Sequence, residues 1–462
     1  MTSKEVLVNL ADNHGRWTND SYSYLLPDDD YDKDFLRLLS GSLISDLCVQ
    51  GLLVYPQSFE SGDMNERVLE YVEQGNNLPA TVYTNNMLGF IGKGNTDVFI
   101  HSRFSNGNDD YFLHYMLMRI AGLNVFDFES GVKETKDNFG NLLFFLFPAM
   151  LQKALCHGIL KSYVNRSYND ASIKGKIDMP RHIKYNKPTT GRIAYNVREY
   201  SADNIIMQLI RHTIEFLQKD TIGRLLLNSN QDIKRAIRQV IELTPSYKSN
   251  EKKKVIDRSR KTPVHPLYTE YRPLQRLCIA ILEHKKVSYN NSTKKIHGLL
   301  FDGAWLWEEY IGKIASELME HRKRSDGKGI IYLFQDDKGS FQRIIPDYIG
   351  KGEYDIVGDA KYIMLQNKRC LYADQASAIY YKTLMYMYRF NAKKGVLFYP
   401  LKQGGTDFPL SDYKIKETDG HLYELGPSIA NCQSFKDFCQ QMQKNELFFL
   451  DKLKSIITSN IN

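Results

Sequence analysis

Short alternating apolar runs and longer runs at helical spacing divide this chain. Leu52-Leu-Val-Tyr-Pro56 and Val98-Phe-Ile-His101 read as strands. Tyr111 to Ala121 reads as a helix that stops at Gly122, a C-cap residue. From Gly140 to about Tyr163 the positions Leu142, Phe145, Leu146, Met150, Leu151, Leu155 and Ile159 predict one long core helix. Ser172 to Asp178 reads as a basic, β-like turn, and residues 192–200 alternate as a strand. Ser201-Ala-Asp203-Asn204 caps a helix over Ile205 to Gln218, and helices follow near 231–243 and 267–284. A helix from about Ala304 to Arg322 carries Trp307, Ile311, Ile314, Ala315 and Leu318 on one stripe. Ile330 to Phe334 and Gly395 to Tyr399 read as strands flanking the last stretch of interest.

That stretch runs from Pro346 to Lys361. Gly350-Lys351-Gly352 breaks it into two β-like halves, which predicts a hairpin. Alternation puts Asp359 and Lys361 on one face and Ala360 on the other. With Asp347 on the neighbouring half, two carboxylates and an ammonium can hold a divalent ion beside a phosphate. The ammonium can orient a water or bind a phosphate oxygen. At about 100° per residue, Glu308 lies roughly 60° from the centre of its helix's apolar stripe and Glu309 roughly 160° away. Glu309 is therefore expected to face solvent. Glu308 is either a surface charge or a third acid of the site. Asp355 shares the parity of Asp359 but reads as a turn-proximal charge.

With 462 residues the chain exceeds one typical core. A net charge of +7 permits a nucleic-acid partner without requiring one. Lys252-Lys-Lys254 with Arg258, Arg260 and Lys261, and Lys285-Lys286 with Lys294-Lys295, read as solvated loop faces or as a phosphate-contacting surface. Asn290 to Thr293 reads as a loop, with a boundary near 287–296. The six cysteines form no CxxC pair, which argues against a zinc knuckle or a disulfide framework. No signal peptide is evident, and the most apolar run, Leu142 to Leu151, contains Pro148 and is too short to span a bilayer. A reduced, cytoplasmic protein with no membrane association is expected. GxxxxGK[ST], HExxH and GxSxG are all missing, against a phosphate-loop NTPase, a zinc hydrolase and an α/β-hydrolase.

A helix with Glu308, three strands carrying Pro346-Asp347 and Asp359-Ala-Lys361, a helix and a further strand resemble the PD-(D/E)XK nuclease core. A closer resemblance covers about residues 90–400. Gly298-Leu-Leu-Phe-Asp302, Leu306-Trp-Glu-Glu-Tyr310, Pro346-Asp347, Gly358-Asp-Ala-Lys-Tyr362 and Gly395-Val-Leu-Phe-Tyr-Pro400 resemble the McrC family. So do Ile173-Lys-Gly-Lys-Ile177, Arg198 to Asn204 and Tyr268 to Leu282. McrC proteins are the nuclease subunits of McrBC-type, modification-dependent restriction systems.

The resemblance implies an α/β and α+β multidomain chain. Residues 1–165 would form a mixed α+β region that docks on a partner, 166–290 a mainly helical middle, and 291–462 a PD-(D/E)XK restriction-endonuclease-like core. It implies Mg2+-dependent cleavage of double-stranded DNA beside an McrB-like AAA+ ring. That ring would bind the GTP, and this chain would stimulate its hydrolysis. Asp347 and Asp359 would hold Mg2+, with the Ala360 carbonyl as a further ligand. Glu308 would support the metal or its waters, and Lys361 would lie beside the attacking water. Where the family tends to carry Gln and Tyr four apart on the next helix, this chain has Lys382 and Tyr386, with Gln375 out of register. Lys382 either contacts phosphate as a point charge or the helix contributes nothing. Two alternatives stand beside this reading: a non-cutting activator or scaffold of the ring, and a nuclease directed at unmodified sequence.

Overall fold

The computed structural model describes residues 6–13, 24–25, 32–50, 52–55, 65–73, 80–93, 96–105, 110–121, 142–188, 190–287, 296–322, 331–337, 339–351, 355–363, 373–402 and 411–459. The expected C-cap at Gly122, the linker at Asn290 to Thr293 and the hairpin glycine Gly352 lie outside these residues.

The chain divides into two compact units, residues 1–129 with 291–462, and residues 130–290. This differs from the expected linear division into three. The strand Ser162–Asp170 runs through the expected 165/166 boundary. Residues 1–129 share one unit with the C-terminal part because His297–Asp302 is a strand of their sheet. It pairs antiparallel with Met87–Lys93 and parallel with Leu52–Tyr55. The sheet is completed by Thr96–His101 and Val6–Ala11. Leu299, Leu300 and Phe301 are fully buried, as a near-continuous apolar run in an interior strand requires. Gly89, at φ +130°, permits the close pairing: a Cβ there would stand 2.1 Å from the Leu299 carbonyl oxygen. The helix Lys33–Gly41, capped by Asp32, sends Phe35, Leu36 and Leu39 into a core with Val8, Val98 and Leu300.

The second sheet of this unit has six strands, ordered Met319–His321, Tyr348–Gly350, Ile356–Ala360, Lys394–Phe398, His421–Leu425 and Ser411–Lys414. Ile356–Ala360, Lys394–Phe398 and His421–Leu425 pair parallel, whereas Tyr348–Gly350 pairs antiparallel with both its neighbours and Ser411–Lys414 antiparallel with His421–Leu425. Helices Gly303–Ile314 and Ala373–Phe390 pack on the Ile356–Ala360 strand.

Three expectations fail here. The helix from Ala304 ends at Ile314, not Arg322, because Met319–His321 pairs with Tyr348–Gly350 as an edge strand. The run ending at Phe334 does not enter this sheet. Ile331–Asp336 pairs with Gly339–Ile344 in a separate two-stranded ribbon, with Tyr332, Phe334 and Phe341 exposed. Glu309 is half-buried rather than facing solvent.

The unit 130–290 combines helices Leu142–Cys156, Ile205–Leu217, Thr221–Leu227, Gln231–Leu243, Lys252–Lys261 and Tyr271–Val287 with a three-stranded sheet. Asn204 caps Ile205–Leu217 by accepting from the N–H groups of Ile206 and Met207. The expected 140–163 helix ends at Cys156, two residues before Gly158 at φ +106°. The basic stretch Lys252 to Lys261, read as a solvated loop face or a phosphate-contacting surface, is not a loop but a helix anchored by buried Val255, Ile256 and Ser259.

Candidate active site

The stretch 346–361 folds as a hairpin. Tyr348 and Ile349 pair antiparallel with Gly358 and Val357. Asp347 precedes the first strand, and its Oδ2 accepts the Ala360 N–H at 2.7 Å, which ties the first acid to the strand carrying the second. Asp359 is fully buried. The chain then leaves the sheet through Lys361, whose N–H donates to the Phe398 carbonyl at 2.8 Å.

Two ammonium groups meet Asp359. Lys361 Nζ pairs with its Oδ2, and Lys382 Nζ lies 3.3 Å from its Oδ1. Burial works most strongly against the Asp359 charge, but Lys361 and Lys382 outweigh it and hold the carboxyl below its usual range. Asp347 is pushed the other way, well above the usual range, by burial first and then by the charges of Asp359 and Glu308. The two acids are thus biased in opposite directions, Asp359 toward its charged form and Asp347 toward its neutral one.

Helical spacing places Lys382. Ile379, Thr383 and Tyr386 share its side of the helix Ala373–Phe390, with Thr383 and Tyr386 buried. Tyr386 donates its hydroxyl to the Ile345 carbonyl at 2.8 Å, and Lys382 Nζ lies 5.5 Å from the centre of its ring. Lys382, Tyr386 and Met385 also line a cleft of about 500 Å³ with Arg343, Ile344 and Ile345. The site thus opens beside a partly cationic groove.

Glu308 is held near the pair but turned aside. Its backbone carbonyl accepts the Tyr348 hydroxyl at 2.6 Å, and its Oε1 meets His321 Nε2 at 3.0 Å. Among the described residues no three His, Cys, Asp or Glu side chains converge on one point. The Ala360 carbonyl accepts from Lys361 Nζ at 3.3 Å. The residues nevertheless fit a small hard cation, which uses one or two carboxylates and completes its shell with waters and phosphate oxygens. Asp359 Oδ2 is buried, makes no well-directed hydrogen bond and lies against Lys361 Nζ, so a cation there would take over a charge that the ammonium supplies in this structure.

Residues remote in sequence brace the segment behind Lys361. Tyr362 is buried, its hydroxyl 2.7 Å from Ser102 Oγ. Arg103 donates to the Tyr362 carbonyl at 2.9 Å, covers its ring at 4.7 Å and pairs with buried Asp12 at 3.3 Å. No local sequence pattern joins Asp12, Ser102 and Arg103 to this site. Lys382, expected either to contact phosphate or to contribute nothing, stands against Asp359 instead.

A family model described as McrBC 5-methylcytosine restriction system component matches residues 82–400. No curated protein matches. Among solved structures, the chain is similar to a refined half-complex from a tetradecameric assembly of Thermococcus gammatolerans McrB AAA+ hexamers with bound McrC. Identity is 16%, coverage is 95% of this chain and 100% of that one, and the TM-score is 0.44. It is also similar to a chain of the cryo-EM structure of the Thermococcus gammatolerans McrBC complex, at 15% identity, 67% and 87% coverage and a TM-score of 0.30.

Proposed function

The chain belongs to the McrBC 5-methylcytosine restriction system component family, and from that premise we propose that it is the DNA-cleaving subunit of a GTP-dependent restriction complex. The observation carrying this reading is the half-buried Asp347 and fully buried Asp359, flanked by Lys361 and Lys382 at one end of a mixed parallel and antiparallel sheet. The arrangement supports a PD-(D/E)XK-type site for phosphodiester hydrolysis. Its partners would be double-stranded DNA and an AAA+ ring that supplies GTP hydrolysis.

Asp347 and Asp359 would hold Mg2+, which when bound polarises the scissile phosphate. Lys361, bound to Asp359 in this state, is placed to orient the attacking water or to neutralise a non-bridging oxygen. Lys382, on the cleft side, supplies a second ammonium for the phosphate. Glu308, held by His321, would support the metal or its waters. The half-buried position of Lys361 keeps its charge effective where substrate excludes water.

The test is cleavage of modified plasmid by the purified chain with its ring partner, GTP and Mg2+. Asp359→Asn and Lys361→Ala should lose cleavage while melting as the parent does. Cutting at the parent rate by either variant overturns the assignment. A non-cutting scaffold is the second reading, favoured by the failure of three ligand side chains to converge among the described residues. It predicts ring stimulation without metal-dependent nicking in the parent protein itself.

A further inference from the structure

The two-stranded ribbon that precedes Asp347 is fastened to the helix Ala373–Phe390 at two points. Arg389 Nε donates to the Tyr332 carbonyl at 3.1 Å, and the Tyr386 hydroxyl donates to the Ile345 carbonyl at 2.8 Å. Ile344 packs against the cluster of Val357, Tyr386 and Met387. Asp347 follows Arg343 by four positions, so the second strand of the ribbon runs directly into the end of the sheet that carries the two acids. The cleft of about 500 Å³ lies between ribbon and helix.

The ribbon is irregular where it borders that cleft. Tyr332 pairs with Arg343 and Phe334 with Phe341, but the ladder skips Leu333 and Gln342 between them. Gln342 takes φ +57°, a left-handed conformation unfavourable to a residue with a side chain. Successive residues of a regular strand face opposite ways, yet Gln342 and Arg343 both border the cleft. The break in the ladder thus brings an amide and a guanidinium to one place.

The lining holds two cations, Arg343 and Lys382, and no carboxylate among the described residues. The ribbon's own acids, Asp336 and Asp337, lie at its far turn. Leu333, Ile344, Met385 and Tyr386 complete the walls. Lys382 reaches from the cleft to Asp359, so the cleft opens on the buried acid. A guanidinium suits a phosphate, and apolar walls suit a sugar. The volume falls within the range of about 300–1,000 Å³ that small ligands occupy, enough for one nucleotide unit of a strand. Exposed rings alone, Phe334 and Phe341 on the ribbon and Tyr381 and Tyr388 on the helix, would fit a protein partner equally well. The two cations and the opening onto Asp359 decide for a nucleic-acid backbone.

We propose that this cleft seats the backbone of the DNA strand being cut, beside the scissile phosphate, with Arg343 gripping the neighbouring phosphate. The proposal rests on the reading of the chain as a DNA-cleaving subunit and gives the ribbon the task of positioning that substrate.

The test reads binding apart from cutting. Fluorescence anisotropy follows a labelled duplex of about 20 base pairs with the full chain, with Ca2+ in place of Mg2+, as salt is raised from low concentration. Arg343→Ala should weaken binding about tenfold and lower the slope of log affinity against log salt by about one. Arg343→Lys, which keeps the charge, should keep the slope. Arg37→Ala removes an arginine already paired with Asp34 and Glu73, and should bind within about twofold of the parent. With the ring partner, GTP and Mg2+, Arg343→Ala should need about tenfold more DNA for half-maximal cleavage, with a saturated rate within about threefold of the parent. Melting temperatures identify a variant that fails to fold, and Arg343→Gln then carries the same expectation. No salt-dependent duplex binding by the parent, or an Arg343→Ala variant with the parent's affinity and slope, overturns the proposal. A variant that keeps its DNA affinity but loses self-association or its hold on the ring also overturns it and makes the ribbon a protein contact. A parent that binds duplex through Arg343 and never cuts supports the proposed seat and counts only against the nuclease reading.

Discussion

Lys382 stands 3.3 Å from Asp359 although 23 residues separate them, and it approaches the carboxylate oxygen that Lys361 leaves free. One buried acid thus lies between two ammonium groups that differ in exposure, with the Lys361 side chain at 18% and that of Lys382 at 42%. The more buried cation should matter more to chemistry, because a low-dielectric setting strengthens its field.

Lys361→Ala is therefore expected to lower single-turnover cleavage about a thousandfold or more, and Lys382→Ala about ten- to a hundredfold. Rapid-quench cleavage with the ring partner present measures both. Equal losses would show that the two lysines do not divide the work by burial.

Glu308→Gln should keep its contact with His321 and lower cleavage by about tenfold, well short of the loss in Asp359→Asn. Cleavage rates against Mg2+ concentration separate the two effects. A Glu308→Gln variant as inactive as Asp359→Asn would make Glu308 a direct ligand.

Glu446 lies away from the site in the long helix Phe435–Thr458. It accepts from Tyr115 and Tyr310 at 2.9 and 2.8 Å and pairs with Arg119 at 2.8 Å. Glu446→Ala strands a partly buried guanidinium and two buried hydroxyls, and should cost about 3–5 kcal/mol. Urea titration of the full chain measures it. Glu446→Gln, which keeps acceptor and shape, should cost clearly less.

His212 is buried in the unit 130–290, against the Tyr247 ring at 4.7 Å, with an unsatisfied Nε2. Burial, then the nearby Lys252, pushes its pKa from 6.5 down to about 4. Between those values the unfolded chain binds the proton and the folded chain does not. Stability is thus full above about 6.5 and falls as pH drops toward 4, by up to about 3 kcal/mol. Thermal melts across this window should show the fall, and His212→Leu should flatten it. An unchanged slope in the variant would remove His212 as its cause.

Local chemistry made part of the site legible. Period-two alternation and the Gly350-Lys351-Gly352 break imply the hairpin, and the structure pairs Tyr348 with Gly358. The cap at Asn204 and the helix over 231–243 follow from short-range patterns. Strand pairing was harder to read. Ile330 to Phe334 looked like the neighbour of the hairpin, but Met319–His321 takes that place. An apolar strand pattern says that a strand buries a face; it does not name the strand it pairs with.

By itself the sequence determined that Asp347, Asp359 and Lys361 come together, because they fall within one hairpin whose geometry is set by neighbours along the chain. Only the tertiary structure decided what surrounds them. Lys382 reaches Asp359 through helix packing, Arg103 and Ser102 brace Tyr362, and His297–Asp302 joins the sheet of residues 1–129. Such contacts depend on burying one element against another far along the chain, and no local period encodes the partner.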